Sequence, residues 1–323
     1  MVALCIFFKS INFFINSYRL SKKYSKIIIL IFLLMNNVFA MVTLKSSNFY
    51  TGYALQSFFK YTKMDDGDEF FLIDNDGSEL ENFSLYKKIN IIKNKHPYGF
   101  AKNVNQAITI AKKDKKNLIF LNNDIIFTKN WFEPLKSNSM SISIPVSNFL
   151  FKYKSDCGDL ILKPTMRFDE FNENYDLLND IVKNHINKFS SQKQFQFLLM
   201  PFFCFKIPYK ILNEVGYFDE SFINGAEDVD YRIRSAKRGY NVNFLINSYL
   251  LHFHGKSTWD GNETATQTEK RNKAYSEVFL KKWGSELTQI FIIRKDFDNI
   301  LFEKGLNDLF KQGKFGELIR KLL

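Results

Sequence analysis

The sequence predicts an α/β protein whose sheet is mostly parallel and carries helices on both faces. Three observations lead there. Two uninterrupted apolar runs, Phe70–Ile73 and Leu118–Leu121, leave no wet face and read as buried strands. Between them Val104, Ala107, Ile108 and Ala111 recur at i, i+3, i+4 and i+7, the spacing of an amphipathic helix. From Met41 onward, strand-like and helix-like patterns alternate. At 323 residues, with 46% hydrophobic and 17% aromatic content, the chain has room for one large or two ordinary domains with a buried core.

Taken in order, residues 1–40 differ from the rest. They hold Lys9, Arg19, Lys22, Lys23 and Lys26 and no acid, then nine apolar residues, Ile27 to Met35, then Val38-Phe39-Ala40. That is the order of a secretory signal, although the apolar stretch is too short to cross a bilayer, which takes about 20 residues. A cleaved signal, a weak membrane anchor and an extension upstream of a start at Met41 all fit. Met41 to Leu44 then reads as a strand, Leu55, Phe58 and Phe59 as a helix face, and Glu69 to Ile73 as a strand running into the turn Asp74-Asn75-Asp76-Gly77-Ser78. Ile89 to Ile92 is a further strand, followed by a loop with Pro97 and Gly99 and the helix around Val104.

After Leu118–Leu121 come Asn122, Asn123 and Asp124, a helix starting near Trp131 and a strand at Ser143 to Val146. Residues 147–205 read as an insertion, with helical content around Leu177 to Phe189 and a strand-like run from Leu198 to Ile207. Ser248 to His254 reads as a strand, and residues 266–323 as an appended helical tail.

Ala226 to Lys237 is a short helix with Val229, Ile233 and Ala236 on one stripe, and Glu227, Asp228 and Asp230 in its first turn. Two readings of those acids stand. Either they serve the helix dipole and the i,i+4 pairs Asp228–Arg232 and Asp230–Arg234, each worth about 0.2–0.5 kcal/mol, or they carry chemistry. Asp74 and Asp124 each follow a buried strand, so both emerge on the carboxyl rim of a parallel sheet, where ligands bind. Acids and asparagines are also ordinary turn formers there. His252 and His254 share a face of a strand, which is a weak metal signal and more often packing.

The net charge of +11 suits a phosphorylated ligand or an anionic membrane surface. No basic run is interleaved with aromatics, which argues against nucleic acid as a partner. Three cysteines without a CxxC support neither a disulfide framework nor a cysteine zinc site.

Four motifs in this order, FFLIDNDGS, GFAKNVNQAI, LNND with a following WFEPL, and VGYFDESFINGAEDVDYRIRSAKRGY with HFHGKS after it, resemble the family 2 glycosyltransferases of the GT-A fold, in particular the rhamnosyltransferase-like branch. The resemblance spans about residues 41–285. It implies a catalytic domain over 41–265 in which 147–205 lies on the acceptor side, and an inverting enzyme that moves a sugar from a nucleotide-sugar donor to a hydroxyl of a glycan or lipid-linked acceptor.

By the same resemblance Asp74, Asn75, Gly99, Asn105, Asn122 and Asn123 would contact the donor, and Asp124 would ligate Mg²⁺ or Mn²⁺ with His252, or His254 in a shifted register. Asp228 would be the general base, with Glu227 orienting the acceptor. Asn122 departs from the family's pattern, which has an acid there. A hard cation prefers charged oxygens, so the departure weakens the metal site. The alternatives are a sugar nucleotidyltransferase, whose glycine-rich loop has no counterpart in VTLKSSNFYTGY, and a non-catalytic nucleotide or glycan binder. A cytosolic type of donor favours an anchor-like or superfluous residues 1–40 and a cytoplasmic, membrane-associated location.

Overall fold

The computed structural model describes residues 35–77, 89–148, 168–188, 194–201, 203–253 and 264–323. Nine strands among them form a single sheet in the order β3-β2-β1-β4-β8-β6-β9-β5, with β7 paired to β9. The first strand is β1 (Asn37–Thr43), followed by a 3₁₀ turn at Lys45–Ser47 and helix α1 (Asn48–Tyr61). Next come β2 (Glu69–Asp74), β3 (Ile89–Lys93), α2 (Phe100–Lys113) and β4 (Asn117–Leu121). β1 pairs in parallel with both β2 and β4, and β2 with β3. The four strands and two helices are therefore two strand–helix–strand crossovers, β1-α1-β2 and β3-α2-β4, with β1, β2 and β4 inside the sheet almost wholly buried and the edge strand β3 half exposed.

One boundary differs from the sequence reading. Val38, Phe39 and Ala40, which look like the end of a signal, are fully buried in the middle of the sheet, so the folded unit starts at Asn36 and not at Met41. A short apolar run ending in a small residue describes a signal's end and a central parallel strand equally well. Only the pairing of Val38–Met41 with Leu118–Leu121 on one side and Glu69–Leu72 on the other separates the two.

The second half of the sheet is mixed. It contains β5 (Ile125–Phe127), helix α3 (Phe132–Ser137) and β6 (Ile142–Ser147). Helices α4 (Phe168–Phe171) and α5 (Tyr175–Lys188) follow, then β7 (Gln194–Gln196) and β8 (Cys204–Ile207). Helix α6 (Tyr209–Val215), helix α7 (Glu227–Lys237) and the eleven-residue β9 (Val242–His252) complete it. β8 runs antiparallel to β4 and β6, whereas β6 and β9 are parallel. The strand read as starting at Ser248 thus begins six residues earlier, and the aromatic run 198–207 is a strand only from Cys204. Phe197 to Met200 and Phe203 are apolar because they are buried, not because they are extended in the sheet. The described part of the 147–205 segment is anchored on α1: Tyr53 donates to Glu173 at 2.9 Å and Asn179 Nδ2 to Tyr61 Oη at 3.2 Å.

Helix α8 (Ala265–Thr288) opens with a capping box between Thr264 and Gln267 and continues into a π turn, Gln289–Ile293. Helices α9 (Phe297–Glu303), α10 (Asn307–Lys311) and α11 (Phe315–Leu322) end the chain. This region is docked rather than appended. Asp230, fully buried on α7, takes Trp283 Nε1 at 3.0 Å and Lys282 Nζ at 2.7 Å from α8. α11 buries Leu318 and Ile319, and the Gly316 N–H donates to Gln196 on β7 at 3.0 Å. Among the described residues, no helix is long and apolar enough to cross a membrane.

Candidate functional site

The parallel half of the sheet brings its carboxyl ends to one rim. Asp74 ends β2 opposite Thr43 of β1, and two residues earlier Met41 stands opposite Leu121, the last residue of β4. Side chains join the rim across the β1–α1 connection. Asn123 Nδ2 donates to Ser47 Oγ at 2.7 Å and Thr51 Oγ1 at 2.8 Å, and Thr51 shares a 2.8 Å hydrogen bond with Thr43. Asp74 and the Asn122–Asp124 turn are therefore on the same edge, as the spacing in the sequence implied. Asp74 itself accepts from the Gly77 N–H at 3.0 Å, so part of its role is to shape the turn that follows it.

Asp124 is fully buried and its Oδ1 stands 3.4 Å from Nε2 of His252. Local folding produces that pair. β5 follows Asp124 directly and pairs with the end of β9, Ile125 opposite His252, and the Phe253 N–H donates to the Asp124 carbonyl at 3.0 Å. The His252 backbone is clamped by buried Asn148, which accepts from its N–H at 2.7 Å and donates to its carbonyl at 3.1 Å. Phe203 stacks on the imidazole at 5.0 Å between centroids, which fixes the ring plane. Asn122 enters through its backbone, donating to the Phe203 carbonyl at 2.7 Å. His254 lies outside the described residues. A carboxylate and an imidazole side by side are a chemically suitable pair for a divalent ion that takes its remaining positions from phosphate and water. No group of three or more His, Cys, Asp or Glu side chains with metal-binding geometry occurs among the described residues.

Besides Asn123, whose Nδ2 is spent on Ser47 and Thr51, two more asparagines expected at the donor are occupied by the fold. Asn75 Oδ1 accepts from Asn94, the Tyr98 N–H and Asn103 at 2.8, 2.9 and 3.1 Å, and its Nδ2 donates to the Tyr98 carbonyl, holding the loop before α2. Asn105 accepts from the Phe218 N–H at 2.8 Å and donates to the Phe218 carbonyl and to Glu220, so it ties α2 to the segment leading into α7. Both amides bond inside the protein, Asn105 through its oxygen and both Nδ2 hydrogens and Asn75 through its oxygen and one Nδ2 hydrogen, a use that sequence cannot distinguish from ligand binding.

Gly99 caps α2, and the next N–H, of Phe100, donates to Asn224 Oδ1 at 3.2 Å. Asn224 and Ala226 take left-handed backbone, φ 51° and 66°, in a turn that delivers Glu227 and Asp228 to the start of α7. A continuous path of contacts thus links the rim at Asp74 and Asn75, through Tyr98–Phe100, to the first turn of α7.

Glu227 accepts from the Gly225 N–H at 2.6 Å, while Asp228 accepts from the Val229 N–H at 2.7 Å. Burial pushes both carboxyls up, Glu227 to about 7 with help from the Asp228 charge, and Asp228 to about 6 against the pull of its N–H donors and Arg294. The ion-pair reading of this turn holds for Asp230, bonded to Arg234 Nε at 2.8 Å, and fails for Asp228. Arg232 is fully buried and donates instead to the Phe197 carbonyl, at 3.2 Å from Nη2.

Asp228 lines a cavity of about 240 Å³ that also involves Arg271 and Tyr275 of α8, Phe291 and Ile292 of the π turn, and Arg294. Tyr275 packs so closely on Gly225 that a Cβ there would stand 2.6 Å from Cε1. The C-terminal region therefore supplies one wall of the site. Sequence reading missed Arg271 and Arg294, because nothing in a charged amphipathic helix marks which of its arginines will face a cavity.

Similarity to known proteins agrees with this fold. A structure of GalNAc-T7 with UDP, GalNAc and Mn²⁺ superposes over 86% of this chain and 58% of that one, with a TM-score of 0.52 at 14% identity. The fold is GT-A. This GT-A chain also superposes on residues 1–349 of S. aureus TarS in complex with UDP-GlcNAc, over 78% and 68% of the two chains, with a TM-score of 0.50 at 12% identity. Residues 53–138 match the family described as glycosyl transferase family 2, a segment that contains Asp74 and Asp124 and ends before Asp228 and His252. The GT-A chain spans 58% of the length of the GalNAc-T7 structure. No curated protein sequence matches it.

Proposed function

We propose that the protein is an inverting glycosyltransferase that moves a hexosyl or deoxyhexosyl group, as in the rhamnosyltransferase-like branch, from a nucleotide-sugar donor to a hydroxyl of a glycan or lipid-linked acceptor. The observation that carries this reading is the contact path from the strand ends to Asp228, Asn75–Tyr98 and Phe100–Asn224, which sets a cavity with a raised-pKa carboxylate beside the rim where α/β sheets bind nucleotides. The family match at 53–138 and the GT-A fold support the donor class, since the GalNAc-T7 and TarS structures contain UDP and UDP-GlcNAc.

In this reading Asp74, Gly99, Asn122 and Asn123 bound the donor pocket, while Asn75 and Asn105 hold its walls. Asp124 and His252 would hold Mg²⁺ or Mn²⁺, which when bound neutralises charge on the departing nucleoside diphosphate. Asp228, with its carboxyl near 6, is largely ionised at neutral pH and still basic enough to take the proton of an acceptor hydroxyl as the new oxygen–carbon bond forms. The electron pair of the breaking anomeric C–O bond leaves on the diphosphate, and attack from the opposite face inverts the anomeric centre. Glu227, near 7 and bonded to Gly225, keeps the turn in place and orients the acceptor. We place the protein on the cytoplasmic side, associated with a membrane, because its basic charge suits an anionic membrane surface.

The test is a thermal-shift panel of nucleotide sugars with and without Mn²⁺ on the wild type, Asp124→Asn and Asp228→Asn. One nucleotide should stabilise the wild type in a Mn²⁺-dependent manner. Asp124→Asn should lose that dependence, and Asp228→Asn should keep donor binding and lose transfer by about 10²-fold or more. Transfer undiminished in Asp228→Asn would refute the assigned base, and a panel without any nucleotide-dependent shift would refute the class.

A further inference from the structure

The cavity at Asp228 has a composition that proton abstraction does not explain. Its lining includes two arginines, Arg271 from α8 and Arg294 from the residue after the π turn, together with Asn224, Tyr275 and the apolar Leu199, Phe291 and Ile292. Both arginines are positioned by the fold. Arg271 Nη1 donates to the Asn224 carbonyl at 3.2 Å, on the same turn that delivers Asp228, and Arg294 has φ 60° with its N–H bonded to the Gln289 carbonyl at 2.7 Å. Tyr275 lines the same cavity as both arginines and Asp228, so these groups converge on one small volume.

We propose that this cavity is the acceptor subsite and that it selects a sugar bearing an anionic substituent, a carboxylate or a phosphate, held by Arg271 and Arg294 while its hydroxyl faces Asp228. The inference rests on the glycosyltransferase reading and deepens it. A neutral glycan needs hydroxyl partners such as amides and carboxylates, whereas a guanidinium's planar fork matches carboxylate and phosphate oxygens in pairs. The size agrees: about 240 Å³ is below the roughly 300–1,000 Å³ of pockets that enclose a drug-sized ligand, so it takes one sugar unit with its substituent. Apolar side chains and the Tyr275 ring line it in the manner that suits the C–H face of a pyranose. The same anionic chemistry could come from the donor, through its diphosphate, and the experiment separates the two sources.

Binding is measured by calorimetry on the full chain with methyl glucuronide, methyl glucoside 6-phosphate and neutral methyl glucoside, and separately with UDP and GDP in Mn²⁺. The wild type should bind at least one anionic sugar ten times or more tightly than the neutral one. Arg294→Gln and Arg271→Gln should each weaken that binding tenfold or more and leave nucleoside diphosphate affinity within twofold. Arg271→Lys, which keeps the charge, replaces Arg271→Gln if the latter does not fold. Equal binding of anionic and neutral sugars, or binding of neither, overturns the proposal. So does a loss of diphosphate affinity in the arginine variants, which would assign both groups to the donor. Anionic sugar binding in a wild type that binds no nucleotide would instead defeat the glycosyltransferase reading and leave the subsite standing.

Discussion

Gly225→Ala tests how the C-terminal helices close the site. The backbone at Gly225 is not in the left-handed region, so alanine has no conformational objection to the position and the effect comes from space alone. An added Cβ would stand 2.6 Å from Tyr275 Cε1 and 3.0 Å from Cγ, and closer still to Cδ1, against ordinary contacts beyond 3.4 Å. Neither side yields easily: the turn is fixed by the Asn224 bonds to Phe100 and Arg271, and the ring sits on α8, which is latched to Asp230 through Trp283. Overpacking of this kind costs about 1–3 kcal/mol. At about 2–4 °C per kcal/mol for a domain of this size, Tm should fall by roughly 2–12 °C in differential scanning fluorimetry. Because the relief would move α8, and with it Arg271, transfer should fall further than stability does. Tyr275→Ala removes the ring, so the double variant should be more stable than the two single effects predict when added, by about 1 kcal/mol or more. An unchanged Tm in Gly225→Ala, or strict additivity in the cycle, would refute the claim that α8 seals this turn.

Asp228→Asn should become more stable relative to wild type as pH rises. The folded carboxyl is raised from 3.8 to about 6, so its neutral form contributes stability that is fully present below about pH 4 and lost as pH climbs through 6. Urea denaturation at pH 4.5 and 7.5 should show the variant's advantage growing by at most about 3 kcal/mol, and a constant difference would remove the burial argument. Asp230→Ala leaves Arg234, Lys282 and Trp283 without their shared buried acceptor and should cost about 3–5 kcal/mol, with α8 cut early in limited proteolysis; a variant as resistant as wild type would mean the latch is unimportant. Asn105→Ala breaks three hydrogen bonds to the 218–220 segment and should lower stability by about 2–3 kcal/mol at unchanged nucleotide affinity. Lost nucleotide binding at unchanged stability would return Asn105 to the donor.

The alternation of buried strands and amphipathic helices up to Leu121 was legible because parallel strands covered on both faces must be apolar throughout, and the structure reproduces it element by element. Asp74 and Asp124 were legible as rim residues for the same reason: each belongs to the first polar stretch at the end of such a strand, Asp74 directly after Ile73 and Asp124 three residues after Leu121. Val38-Phe39-Ala40 was not, since a buried strand and a signal's end share one composition. Nor could the acids of α7 be sorted. Asp228 and Asp230 differ by two positions on one helix, yet one faces a cavity and the other a lysine, an arginine and a tryptophan.

By itself, then, the sequence determined the layered architecture, the rim and the short stretch in which a base could lie, because these follow from periodicities of two and 3.6 that any reader of the chain can count. Only the tertiary structure decided which polar groups are spent on the fold, as Asn75 and Asn105 are, and which face a cavity with Arg271 and Arg294. Those assignments depend on contacts between residues as many as 124 positions apart, Phe100 to Asn224 among them, and no local pattern encodes a distance of that kind.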